Sequence, residues 1–209
     1  MIEAEWLRCT DPLLMLRALK GKVSDRKLRL FACASCRLAW HLLSSASSRE
    51  AVEVAERLAD GEVTREEAAA VADKVYRGPI DRRPAYIEAS YAAQCAAGMI
   101  QVGEAARQAG SYAGVPPPAQ VRLLHDIFAN PFRPAAFDPA WLTGEVTALA
   151  EAAYQERLLP TGELDPPRLA VLADALEEVG AAGELLAHLR GPGPHVRGCF
   201  AVDLAAGRG

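Results

Sequence analysis

The chain has little of what builds sheets. Aromatic residues make up 6% of its 209 positions, and valine and isoleucine are well outnumbered by alanine and leucine. Strands favour β-branched and aromatic side chains, whereas alanine and leucine lose little entropy in a helix. Composition therefore predicts an all-α fold, a multi-helix bundle with alanine-rich packing and about nine to ten helices. No run of about 18 apolar residues is free of charge, and Met1-Ile2-Glu3-Ala4-Glu5 is acidic where a secretory signal needs a basic start and an apolar run. Both absences predict a cytoplasmic protein that makes no use of a membrane.

An excess of positive charge is missing too. The 23 Lys and Arg stand against 27 Asp and Glu, a formal charge of −4, which argues against a general nucleic-acid binder because phosphate-tracking surfaces make a domain basic. Five cysteines are an odd number, in a chain long enough to bury its own core. Reduced thiols, rather than a disulfide framework, are the expectation. There is no HExxH, no GxSxG nucleophile elbow and no glycine fingerprint of the Rossmann type. These absences lean away from an enzyme and favour a protein-interaction or regulatory module whose partner is another protein. Two rivals belong to other classes. One is a zinc-stabilised helical protein that contacts nucleic acid, and the other is a metal- or thiol-dependent enzyme.

What is present marks helix starts. Asp11-Pro12, Asp138-Pro139 and Asp165-Pro166 each put a capping carboxylate beside a proline at the first helical position, where its missing N–H costs nothing. Thr64 and Glu67 have capping-box spacing. With glycine stops, the pattern predicts helices over about 3–9, 12–20, 24–43, 48–60, 65–77, 84–108, 119–129, 140–157, 168–179 and 183–190, then a terminal segment, 195–206. The prolines of 110–118 resist helix and strand alike. They divide an N-terminal helical subdomain, 1–109, from a C-terminal one, 119–209, packed on it or continuous with it.

Thiol and imidazole spacing suggests a metal site. Cys33 and Cys36 are three apart and His195 and Cys199 four apart, so each pair shares a helix face if its segment is helical. Two such pairs facing each other would make a Cys3His zinc site, with His41 or Cys9 as substitute ligands. The plain alternative is cysteine as a small buried hydrophobe. A strand over Lys27–Phe31 feeding Cys33-Ala34-Ser35-Cys36 would instead mimic a thioredoxin active site, but that fold needs strands the chain does not offer.

The first forty residues are basic, and a helix bearing Arg26, Lys27, Arg29 and Arg37 would contact phosphates or an acidic partner, or pair with glutamates as a solvated face. Arg82 and Arg83 extend that patch or are plain surface. The turn Gly191-Pro192-Gly193-Pro194-His195 has the outline of an anion site, yet its prolines remove the amides such a nest uses, so it reads as a hinge. His125-Asp126 and His41 offer a base in principle, but a lone histidine on an apolar helical face, beside Leu123, Leu124 and Ile127, reads as a hydrogen-bonded packing residue. Trp6, Trp40, Trp141, Phe128, Phe132 and Phe137 read as anchors, with Asn130–Asp138 an ordered loop that has the makings of a peptide groove.

The segments Lys27-Leu28-Arg29-Leu30-Phe31-Ala32-Cys33, Trp40-His41-Leu42-Leu43, Asn130-Pro131-Phe132-Arg133-Pro134 and Gly193-Pro194-His195-Val196-Arg197-Gly198-Cys199 together resemble an uncharacterised family of helical planctomycete bacterial proteins. The resemblance runs over most of the chain and is weakest in the middle. It implies a cytosolic bacterial protein and carries no substrate, cofactor or catalytic residue.

Overall fold

A computed structural model describes residues 1–78, 92–94, 96–97 and 115–208. Of the expected helix over 84–108, residues 92–94 and 96–97 are described and are helical; the rest of it, the pair Arg82 and Arg83, and Cys95 lie outside the described residues. The fold is all-α, relieved among the described residues by one two-stranded hairpin. The helices are α1 (Glu3–Trp6), α2 (Pro12–Leu19), α3 (Asp25–Leu38), α4 (Ala46–Ala59), α5 (Arg65–Arg77), α6 (Pro117–Phe128), α7 (Gly144–Gln155), α8 (Pro166–Glu178), α9 (Glu184–Leu189) and α10 (Phe200–Ala205). Strands β1 (Arg157–Leu158) and β2 (Glu163–Leu164) pair antiparallel between α7 and α8. Among the described residues no helix is long and apolar enough to cross a membrane.

Side-chain caps set half of these starts. The Asp11 carboxylate accepts from the amides of Leu13 and Leu14, Ser24 from Lys27, Ser45 from Ser48 and Thr143 from Val146. Thr64 and Glu67 form the reciprocal capping box, which satisfies two amides that have no partner inside the helix. Asp165 departs from expectation in making no capping bond, although Pro166 still opens α8.

Four boundaries differ from the sequence reading. Pro116 is the N-cap of α6 and Pro117 its first residue. The prolines thus start a helix, because first-turn amides have no intrahelical acceptor to lose. The helix expected over 24–43 ends at Leu38, and Trp40–Leu42 form a 3₁₀ turn, with the Trp40 ring beneath the guanidiniums of Arg37 and Arg49 at 4.9 and 5.8 Å. The helix expected over 140–157 is a 3₁₀ turn at Pro139–Trp141 followed by α7. The terminal segment is helical only from Phe200, so His195 and Cys199 do not share a helix face.

Three apolar clusters hold these elements. The first joins Cys33, Cys36, Val52, Ala55, Val71 and Val75 across α3, α4 and α5. The second joins α7, α8, α9 and α10 through Ala150, Leu172, Leu185, Cys199 and Val202. In the third, Trp6, Met15, Leu28 and Phe31 meet Leu123, Ile127, Phe128 and Val196, so segments from both ends of the chain share one core. Every residue of α3 from Leu28 to Arg37 is buried, which is the signature of a central helix packed on all sides.

Candidate metal centre

Asp126 lies in the last turn of α6, between the buried Leu124 and Ile127, and is 2% exposed. Across from it, the last turn of α9 carries His188, and the Gly191-Pro192-Gly193-Pro194 turn, with a cis peptide before Pro194, carries the chain back to His195. Cys199, wholly buried, is the N-cap residue of α10. These four donors converge: one ligand atom from each lies within 4.8 Å of every other. Asp126 Oδ1 stands 3.0 Å from His188 Nε2 and 2.9 Å from His195 Nδ1, and Cys199 Sγ is 3.3 Å from His188 Nε2. The Val196 amide donates to Asp126 Oδ2 at 3.0 Å and fixes the carboxylate plane.

The tautomer of His195 follows from its other neighbour. Its Nε2 faces the Gly191 carbonyl at 3.3 Å, and a carbonyl only accepts, so Nε2 keeps a proton; Nδ1 donates to the Asp126 carboxylate at 2.9 Å and is the nitrogen that would give up its proton to a metal ion. Metal-ligating histidines use a backbone carbonyl in this way to fix ring and tautomer. The His188 ring is held edge-on to His195 at 4.7 Å between centroids and tilted against Phe200 at 4.4 Å.

Charge follows the same geometry. Burial alone would raise the Asp126 carboxyl, but hydrogen bonds and positive charge from His188 and His195 outweigh it and hold the group below its ordinary value. Burial lowers His195, and the bond to Asp126 with its negative charge more than reverses that, so its pKa is raised. Burial pushes the Cys199 thiol well up and the Asp126 charge adds to the rise, against the opposing amides of Val202 and Ala201.

This constellation differs from the expected one in half of its members. His195 and Cys199 belong to it, but Cys33 and Cys36 do not. Both sit in the α3–α4–α5 cluster, where the Cys33 sulfur faces the Val52 carbonyl at 3.8 Å and burial raises its pKa. The substitutes are elsewhere as well. His41 is exposed on the 3₁₀ turn, and Cys9 faces the Asp11 carbonyl. A thioredoxin-like role has no footing, since α3 runs unbroken through Cys33 and Cys36 and no strand precedes it. Asp126 and His188 are the residues that sequence reasoning missed. His125, beside Asp126, is a packing residue with its ring edge-on to Trp6 at 5.6 Å.

The basic residues of α3 turn inward. Arg26 pairs with Asp203 at 2.6 Å and Asp60 at 3.1 Å and donates to the Tyr154 hydroxyl. Lys27 pairs with Asp203 and donates to the Gly198 carbonyl at 2.6 Å. Arg29 donates to the Ala96 carbonyl, and Arg37 grips Glu56 through two nitrogens while donating to Pro160 O. What reads as a basic helix in the sequence is a set of internal struts, each to a segment distant in the chain. Asn130–Asp138 is likewise occupied: Asn130 bonds Glu3, Phe132 lies edge-on to Trp6, and Phe137 to Trp141.

Comparison with protein-family models, curated proteins and solved structures finds no match.

Proposed function

We propose that the chain is a zinc-binding helical protein in which Asp126, His188, His195 and Cys199 hold the ion as a closed, structural site. The observation that carries this reading is the convergence of one oxygen, two nitrogens and one sulfur within 4.8 Å, with the His195 ring anchored through Nε2 on Gly191 O so that Nδ1 faces the cluster. Donors around tetrahedral zinc stand about 3.3–3.7 Å apart, so the present contacts need to open by only a few tenths of an ångström. A mixed O, N and S set suits a borderline ion such as zinc better than calcium or magnesium, which take oxygen alone. Four protein donors, three of them buried, leave no open position for substrate, which is the mark of a structural site.

A Cys-His-Asp nucleophile is the competing use of these residues, and the geometry disfavours it. Both Asp126 and Cys199 contact the same nitrogen, His188 Nε2, whereas a proton relay needs the thiol on one ring nitrogen and the carboxylate on the other. The thiol is also raised rather than activated.

Metal analysis of the purified protein should return one zinc per chain, and cobalt substitution should give a thiolate-to-cobalt band in the near ultraviolet. Zinc at about a thousand times its Kd should raise Tm by about 8–16 °C. Cys199→Ser should lose the cobalt band and weaken zinc binding, while Cys36→Ser should retain both. Protein that binds less than a tenth of an equivalent in titration, or a cobalt band that survives Cys199→Ser, would overturn the proposal.

A further inference from the structure

A second polar cavity lies away from the four metal donors, under the β1–β2 hairpin. Arg37, Glu56, Arg157 and Arg197 line it together with the apolar side chains of Leu30 and Val196. Its volume of about 10 Å³ has room for the centre of one water-sized particle. Gly162, at φ +75°, roofs it, and a Cβ there would overlap Arg37 Cδ.

The charge on its walls does not balance. Arg37 and Arg157 share the single carboxylate of Glu56, at 2.8 and 3.0 Å. Arg197 donates to neutral oxygens, Gln155 Oε1 at 2.7 Å and the Tyr154 carbonyl at 3.5 Å, and its carboxylate partner is Asp60, at 3.7 Å, which already serves Arg26 and the Tyr154 hydroxyl. Arg157 Nε is buried and has no hydrogen-bond partner. Guanidinium does not shed its charge at accessible pH, so a buried excess of it calls for an anion. Neutral water would satisfy Nε and leave the charge, while phosphate or carboxylate is too large for a one-particle space.

We propose that this cavity binds one monatomic halide, chloride under physiological conditions, against Arg157 Nε and the Arg37 and Arg197 guanidiniums. The site needs no metal and stands apart from the zinc reading. Bromide supplies the crystallographic probe. A native crystal grown in sodium bromide should show one anomalous peak in the cavity in contact with Arg157 Nε. In solution, replacing gluconate by chloride at constant ionic strength should raise Tm by about 3–6 °C once chloride exceeds its Kd tenfold, and Arg157→Met should abolish that dependence. Should Arg157→Met fail to fold, the bromide map and the native salt series still decide. A cavity peak without anomalous signal, which is water, or a native Tm indifferent to the exchange of gluconate for chloride, would overturn the proposal.

Discussion

Replacing Glu56 by Gln changes two atoms' worth of chemistry in a side chain that is 3% exposed. The carboxylate accepts from Arg37 Nε and Nη2 at 2.5 and 2.8 Å and from Arg157 Nη1 at 3.0 Å. The amide keeps the shape, loses the charge, and turns a donor toward one guanidinium. Breaking a buried pair from one side costs about 3–5 kcal/mol, because the surviving charge stays desolvated. At about 2–4 °C per kcal/mol for a chain of this size, Tm should fall by about 6–20 °C. The measurement is urea unfolding with thermal melts in chloride-free buffer, extended to an Arg37→Met/Glu56→Gln cycle, in which the double variant should lose less than the sum of the singles. The pH dependence has a definite sign. Burial works to raise Glu56, but Arg37 and Arg157 overcome it and depress its pKa below the ordinary 4.5. Its stabilising contribution is therefore present in full above 4.5 and is lost as pH falls through the lower, folded value. A loss under about 1 kcal/mol, or strictly additive singles, would refute the argument that this pair is desolvated and coupled.

Two shorter expectations test other parts of the fold. Arg26→Met should destabilise by about 3–5 kcal/mol in denaturant unfolding, since Asp203 and Asp60 are nearly buried beside it, and heparin retention should not change, as the side chain is turned inward. Gly162→Ala should cost about 1–3 kcal/mol, because it adds strain at φ +75° to a collision with Arg37; a neutral melt would show that the hairpin can lift off α3.

Local chemistry was legible in the sequence, and long-range pairing was not. The Asp11 and Thr64 caps are decided within four residues, so the spacing of side chains suffices to find them. The inward turn of Arg26 could not be read that way, because its partner Asp203 lies 177 residues away. A solvated charged face and a set of internal struts have the same local sequence. The metal group shows both cases at once. His195 and Cys199 attracted attention as a pair, and His188 stands seven residues before His195 on the far side of a Gly-Pro-Gly-Pro turn, a spacing that a hairpin-like return brings into register. In the sequence that turn reads as a hinge for a helix, and the helix begins only at Phe200. Asp126 gave no such signal, because a single carboxylate among Leu123, Leu124 and Ile127 becomes a ligand only once α9 and the turn fold over α6.

The last stretch of described chain does more than close the bundle. Between His195 and Arg208 it supplies two of the four proposed zinc donors, the Arg197 wall of the halide cavity, the Asp203 carboxylate that neutralises Arg26 and Lys27, and the Arg208 guanidinium stacked 4.0 Å from the Tyr154 ring. Val196 also enters the cluster of α1, α2, α3 and α6, while Cys199 and Val202 enter that of α7 to α10. A short helix of six residues has little propensity-driven stability of its own, so this apolar packing, together with the polar ties, holds it in place. Both an ion at Asp126, His188, His195 and Cys199 and an anion beside Arg197 would act on the same strip of backbone. Each ion would bind the docked form alone, and by mass action each would stabilise the docked segment to the extent that its concentration exceeds its Kd. The two sites should therefore reinforce each other, with zinc affinity rising when chloride fills the second site and chloride affinity rising by the same factor when zinc fills the first.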